Sequence, residues 1–279
     1  MIVDYLCNAF TPDRRVVWQT AIDTAAPSIK IRANEFAEPA AMVARMDELG
    51  IDILLLPAVD VPDGVEPAST AFEAVAARWD EVEKLVARWP GRFAALSVVD
   101  PTLGMEGVRA TRSRFESGFV VGCYLHTHSW DRRFDHADYY PYYALATECD
   151  VPIAMQAGMS GGTTASECGR PIAVDRAALY FPDTKFVLSH LGWPWIDEAI
   201  AMTRKHANVF LGTASWPPRR WPPALIELVQ GDGIDKVLFG TNFPTVGHRQ
   251  ATEQARERGL DLGALGGNAY RAFTRLGAL

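Results

Sequence analysis

The chain has little that would mark a secreted, membrane-spanning or nucleic-acid-binding protein. Cysteine is scarce: Cys7, Cys123, Cys149 and Cys168 are the four in 279 residues. None falls in a CxxC pair or a disulfide-type spacing, so reduced thiols in a cytoplasmic protein are expected. No apolar run is long enough to cross a bilayer. The N-terminal stretch MIVDYLCNAF has no basic region and reaches an acid at Asp4, unlike a signal peptide. Basic runs are missing too, and a formal net charge of -7 argues against nucleic acid or an anionic membrane as partner. The phosphate-cradling patterns GxGxxG and GxxxxGK(S/T) follow no apolar run. That absence counts against a doubly wound nucleotide-binding sheet.

What is present is a regular alternation. Short β-branched runs begin at Ile2, Ile51, Arg92, Phe119, Val151, Lys185, Asn208 and Lys236. Their near-continuous apolar character suits parallel strands buried on both faces. Amphipathic stretches lie between them. From Pro67 to Trp89, Phe72, Val75, Ala76, Trp79, Val82, Leu85, Val86 and Trp89 recur at helical spacing. Glu38-Pro39 opens another helix that Gly50 closes, and Pro194 starts a helical segment from Trp195 to His206. Eight strand–helix alternations without a composition break predict one α/β domain over residues 1–279, a closed (β/α)8 TIM barrel. The Gly/Ser/Thr-rich stretch Ser160–Arg170 and the Trp/Pro-rich stretch Ala214–Pro223 are then loops on the catalytic face.

Several segments in order resemble the amidohydrolase-related proteins of the amidohydrolase superfamily. IVDYLCN stands where that family has D-x-H-x-H, GCYLHTH resembles its G-x-K-L-H-P, and VPIAMQAG resembles P-V-x-I-H-T-G. FPDTKFVLSHLGWPW resembles F-P-x-L-K-x-V-L-x-H-L-G-G-P-W, VLFGTNFP resembles L-F-G-S-D-Y-P, and LGGNAYRAF resembles L-G-G-N-A-x-R-L-F. The group includes aminocarboxymuconate semialdehyde decarboxylase, resorcylate-type decarboxylases and pyrone dicarboxylate lactonase. The resemblance implies the distorted barrel of that family.

It also implies a metal site whose ligands have been replaced. The first-strand histidines of the family become Leu6 and Asn8, the fifth-strand histidine becomes Gln156, and the eighth-strand aspartate becomes Asn242. Only His190, at the sixth-strand position, is kept. A catalytic zinc site typically uses three imidazole, thiolate or carboxylate donors. Leu6 offers none and the amides carry no charge, so the expectation is no metal cofactor, with a divalent ion such as zinc as the alternative. One rearrangement would supply donors, namely Asp4 and Cys7 with His190 or His126. Strand alternation turns Cys7 away from Leu6 and Asn8, toward the surrounding helices.

His190 and His126 are the candidate catalytic residues, with an imidazole acting as general acid or base. The alternative for His190 is an inherited side chain satisfied within the barrel mouth. Asn8, Gln156, Asn242, His128, Arg170 and Trp193 are candidate substrate-binding residues. The three amides either bridge to one another or hold a substrate carbonyl or carboxylate. Arg170, like Arg132, Arg133, Arg219 and Arg220, is a loop arginine able to grip a carboxylate with two parallel hydrogen bonds, or simply a solvated surface residue. His136 and His248 carry no readable signal.

Three functions follow from the resemblance. The first is a metal-independent hydrolase acting on a small carboxylate-bearing lactone or ester. The second is a metal-dependent decarboxylase, and the third is a non-catalytic descendant that binds a small molecule. A homodimer is compatible with all three.

Overall fold

The computed structural model describes residues 1–25, 31, 35–60, 72 and 75–279. Nine strands form one parallel sheet among these residues: β1 (Val3–Asp4), β2 (Ile53–Val59), β3 (Ala77–Arg78), β4 (Phe93–Val98), β5 (Val120–Leu125), β6 (Ile153–Gln156), β7 (Phe186–Ser189), β8 (Val209–Gly212) and β9 (Val237–Leu238). The path runs β1-β2-β4-β5-β6-β7-β8-β9, with β3 pairing β2 off that path. Backbone hydrogen bonds join its two ends: Tyr5 N to Phe239 O (3.1 Å), Asn242 N to Leu6 O (2.8 Å) and Asn8 N to Phe243 O (3.2 Å). The sheet therefore closes, and the fold is the expected TIM barrel.

Helices pack around it: α1 (Arg14–Ala25), α2 (Pro39–Leu49), α3 (Trp79–Arg88), α4 (Gly104–Phe115), α5 (Tyr140–Cys149), α6 (Val174–Tyr180), α7 (Ile196–Lys205), α8 (Pro223–Gln230), α9 (His248–Glu257) and α10 (Leu262–Ala272). The proline at the start of α2 costs no hydrogen bond, because a first-turn N–H lacks an intrahelical partner. Gly50, at φ 76°, ends α2 in the left-handed conformation that glycine adopts without strain. The helix expected between Pro67 and Trp89 is interrupted: Phe72 and Val75 are helical, but the helix does not run on unbroken to Trp89. Ala77 and Arg78 are drawn into the sheet against Ala58 and Val59, and helix α3 begins only at Trp79. Residues 67–71 and 73–74 of that expectation lie outside the described residues.

Two apolar layers result. Between sheet and helices lie Cys7, Met42, Met46, Leu54, Leu56, Phe93 and Phe243. Inside the barrel lie Val3, Tyr5, Leu6, Leu55, Leu96, Tyr124, Val187 and Phe273. Tyr5 and Leu6 both join the inner layer because β1 loses its regular pleat after Asp4. Cys7 is back on the outer side, as strand alternation required. The Tyr5 ring fills the space that a side chain at Gly212 or Gly240 would need, and its hydroxyl donates to Ser189 Oγ at 3.0 Å. Tyr5 and Tyr124 are thus the floor on which the barrel mouth rests.

Candidate active site at the barrel mouth

The strands end in an arc of small polar groups. Asn8 Nδ2 donates to Asn242 Oδ1 at 2.8 Å and also to the Phe243 carbonyl at 2.8 Å. Asn242 Nδ2 donates to Ser215 Oγ at 2.7 Å, and Ser215 Oγ lies 3.2 Å from Thr245 Oγ1. Gln156 Oε1 accepts from the Tyr124 hydroxyl at 3.4 Å. The amides of Asn8 and Asn242 therefore bridge to each other, which was one of the two roles open to them.

Three residues of this mouth hold a left-handed backbone: His190 at φ 61°, Ser215 at φ 65° and Asn242 at φ 50°. Such conformations cost a non-glycine residue of order 1–3 kcal/mol and tend to gather at functional sites. His190 directly follows β7, and Ser215 and Asn242 lie three and four residues beyond the ends of β8 and β9.

A cavity of about 820 Å³ opens above the arc. Gln156, His190, Ser215 and Asn242 line its base, and Trp193, Trp216 and Arg220 line its wall. The indoles of Trp193 and Trp216 lie 5.3 Å apart, tilted by 39°. Both loops expected on the catalytic face contribute: Ser160 and Gly161 from one, Ser215 to Pro217 and Arg220 from the other. Gly158, at φ 90°, locks the first loop down. A Cβ there would stand 2.5 Å from the Trp193 carbonyl, to which Met159 N donates at 2.7 Å.

The sequence candidates separate on this geometry. His190, Gln156, Asn242 and Trp193 line the cavity, and Asn8 supports Asn242 from behind. His126 stacks on Phe72 (4.4 Å, 10°) and its Nδ1 lies 2.6 Å from Ser129 Oγ. His128 is buried in a one-turn helix, Thr127–Trp130, with Nε2 3.0 Å from the Gly158 carbonyl. It steadies the Gly158 loop instead of lining the cavity. The chain leaves the strand after Leu125, so the two rings do not share a strand face and meet edge-on at 6.0 Å. Arg170 is also outside the cavity lining: its guanidinium holds Glu198 through Nε (2.9 Å) and Nη2 (2.7 Å) and sits over Trp195. Arg220 of the same candidate set is the arginine that lines the cavity among the described residues.

Burial sets the protonation of the histidines. Desolvation, with His128 nearby, lowers His190 to about 3, leaving a neutral imidazole whose buried Nδ1 has no hydrogen-bond partner. Desolvation also lowers His126 well below its usual value, helped by His128 and His190, and lowers His128.

The donor set at the mouth fits a catalytic dication poorly. Leu6 is apolar, Asn242 Oδ1 is taken by Asn8 Nδ2, Asn8 Oδ1 is buried without a partner but is a neutral amide oxygen, and His190 is the lone imidazole among the inherited positions. Among the described residues no anionic donor lining the cavity offsets a double positive charge.

The sequence pattern of the amidohydrolase family matches residues 29–274. This chain belongs to the amidohydrolase family. No curated protein matches it in sequence. Solved structures match over the whole length. An uncharacterized TIM-barrel protein from Bordetella bronchiseptica is 21% identical, with a TM-score of 0.74 and 99% of each chain covered. A 5-carboxyvanillate decarboxylase from Novosphingobium aromaticivorans, complexed with manganese and 4-hydroxy-3-methoxy-5-nitrobenzoic acid, is 15% identical (TM-score 0.66, covering 98% of this chain and 96% of that one). A 2,6-dihydroxybenzoate decarboxylase from Rhizobium is 15% identical (TM-score 0.64, 98% of each chain).

Proposed function

We propose that this amidohydrolase is a carbon–carbon lyase that removes the carboxylate of a planar, unsaturated or aromatic acid as CO2. The observation that carries the reading is Arg220, the only formally charged side chain lining the cavity among the described residues. It stands beside an indole wall and above neutral His190. With one cation, flat aromatic walls and no carboxylate among the described residues that line it, the cavity suits a flat anion. The decarboxylases of the same shape support this lyase reading over the hydrolase that the replaced ligands first suggested.

In the lyase reaction a proton reaches the carbon bearing the carboxylate. The carbon–carbon bond then breaks, its electron pair restores the π system, and CO2 departs. In this reading His190, at the base of the cavity, moves that proton. Alone in its desolvated position it stays neutral; an anion seated beside it favours the imidazolium, so the charged form arises only with substrate present. Arg220 recruits the anion, and the indoles keep the ring flat and exclude water.

A second reading is favoured by the chain of neutral groups Asn8–Asn242–Ser215–Thr245, which can donate to a developing oxyanion. In that case the reaction is hydrolysis of a lactone or ester carrying a carboxylate. Incubation with hydroxybenzoates, unsaturated dicarboxylic acids and their lactones separates the two. CO2 release that disappears in His190→Asn is expected. Ring opening with acid production but no CO2 would establish the hydrolase, and turnover unchanged in His190→Asn would remove the proton role of that residue.

A further inference from the structure

On the outer side of β1, away from the cavity, Asp4, Cys7 and His248 converge. One donor atom from each lies within 4.8 Å of the others, and all three residues are buried. Loop 241–247 and the first residue of α9 bring His248 back onto β1.

The bonding around this cluster is incomplete in a specific way. Asp4 is held from one side: Oδ1 accepts from Leu6 N (3.2 Å) and Thr241 N (2.9 Å), and Oδ2 accepts from Thr241 Oγ1 (2.5 Å). His248 stacks flat on Phe243 (5.0 Å, 4°), which fixes its ring plane. Yet neither of its buried ring nitrogens makes a hydrogen bond. Nε2 approaches Asp4 Oδ2 to 3.2 Å without the alignment a hydrogen bond needs. Two donors on one tetrahedral zinc ion stand roughly 3.3 Å apart, given metal–ligand bonds of about 2.0–2.1 Å. The pair therefore has the spacing of two atoms sharing a cation.

We infer that Asp4, Cys7 and His248 form a structural site for a soft divalent cation, zinc by preference, that staples the first strand to the loop and helix following the last. The donor types suit zinc: one thiolate, one imidazole and one carboxylate. Binding would release the thiol proton of Cys7 to solvent. Thiolate and carboxylate would then neutralise the dication, so the buried site carries no net charge. The backbone and hydroxyl donors on Asp4 are the outer shell that orients a ligating carboxylate. The nearby Glu35 carboxylate lies against Gly247, with one buried oxygen unpartnered, while the guanidinium of Arg45 is turned to the Glu35 carbonyl. The three donors leave one position for water. The site is distinct from the barrel mouth, where the family resemblance places its ligands; Asp4 and Cys7 do combine with a histidine, but it is His248 and neither His190 nor His126.

Cobalt(II) is the test probe, because a cobalt–thiolate bond absorbs in the near ultraviolet. Added to chelator-treated protein, one equivalent of Co²⁺ should produce that band. Zn²⁺ should abolish it by displacement, and Cys7→Ser should never show it. Zn²⁺ at about 100 times its dissociation constant should raise the melting midpoint by about 5 °C in the parent and not in Cys7→Ser. No thiolate band in the parent, or a band that survives in Cys7→Ser, overturns the site. Should Cys7→Ser fail to fold, His248→Gln decides. Its Co²⁺ affinity must fall by more than the ~10–100-fold that losing an outer-shell partner brings, and unchanged affinity overturns the site.

Discussion

The two sides of the first strand have opposite chemistry. Toward the cavity it presents Leu6 and Asn8, an apolar group and a neutral amide already bonded to Asn242. Toward the helices it presents Asp4 and Cys7, joined by His248. The inner side has the access that catalysis needs and lacks anionic donors. The outer side has the donors but they are buried away from the cavity where a substrate would sit. The comparison teaches that ligand-capable residues must be sorted by the face they occupy before a function is assigned to them.

Substitutions on each side should therefore fail differently. The largest effect is expected from His190→Asn, which should lower the rate of CO2 release about 10²–10⁴-fold while thermal stability at neutral pH holds. A comparable loss of stability would merge the two sides into one structural role. Asp4→Ala should do the reverse. It strands the N–H groups of Leu6 and Thr241 and the Thr241 hydroxyl, and should cost about 3–5 kcal/mol in denaturant unfolding.

Acid should expose the inner side again. Unfolded histidine binds a proton near pH 6.5, whereas native His190 does so only near 3. Between those values the unfolded chain holds more protons, so stability falls as pH falls. From pH 6.5 to 4.5 this group alone accounts for about 2–3 kcal/mol, and unfolding curves of His190→Asn should lose that much less over the same range. The smallest effect is expected from Arg220→Met, a rise in KM of about 10–100-fold for a carboxylate substrate with kcat little changed. If kcat falls instead, Arg220 belongs to the chemistry and not to recruitment.

Much of the barrel could be read from the sequence because its strands are buried on both faces. The runs beginning at Ile51, Arg92 and Lys185 needed no context to be recognised as β2, β4 and β7. The stretch ending at Trp89 misled only in its middle, since Ala77 and Arg78 interrupt the helical apolar period and pair with β2, whereas Phe72 and Val75 are helical. In the site, His190, Gln156, Asn242 and Trp193 lie on the cavity as their strand-end and loop positions implied. Arg170 could not be told from Arg220 by sequence, because only folding brings Glu198 to Arg170. His248 was illegible for the same reason. A lone histidine after a Gly-ended loop has no local signature, and its meeting with Asp4 depends on the barrel closing.

The left-handed residues that follow β7, β8 and β9 set a conflict between durability and use. Glycine at positions 190, 215 or 242 would relieve a torsional cost and harden the protein against heat, yet each exchange would erase a side chain from the base of the cavity. Selection for robustness alone would empty this mouth one residue at a time.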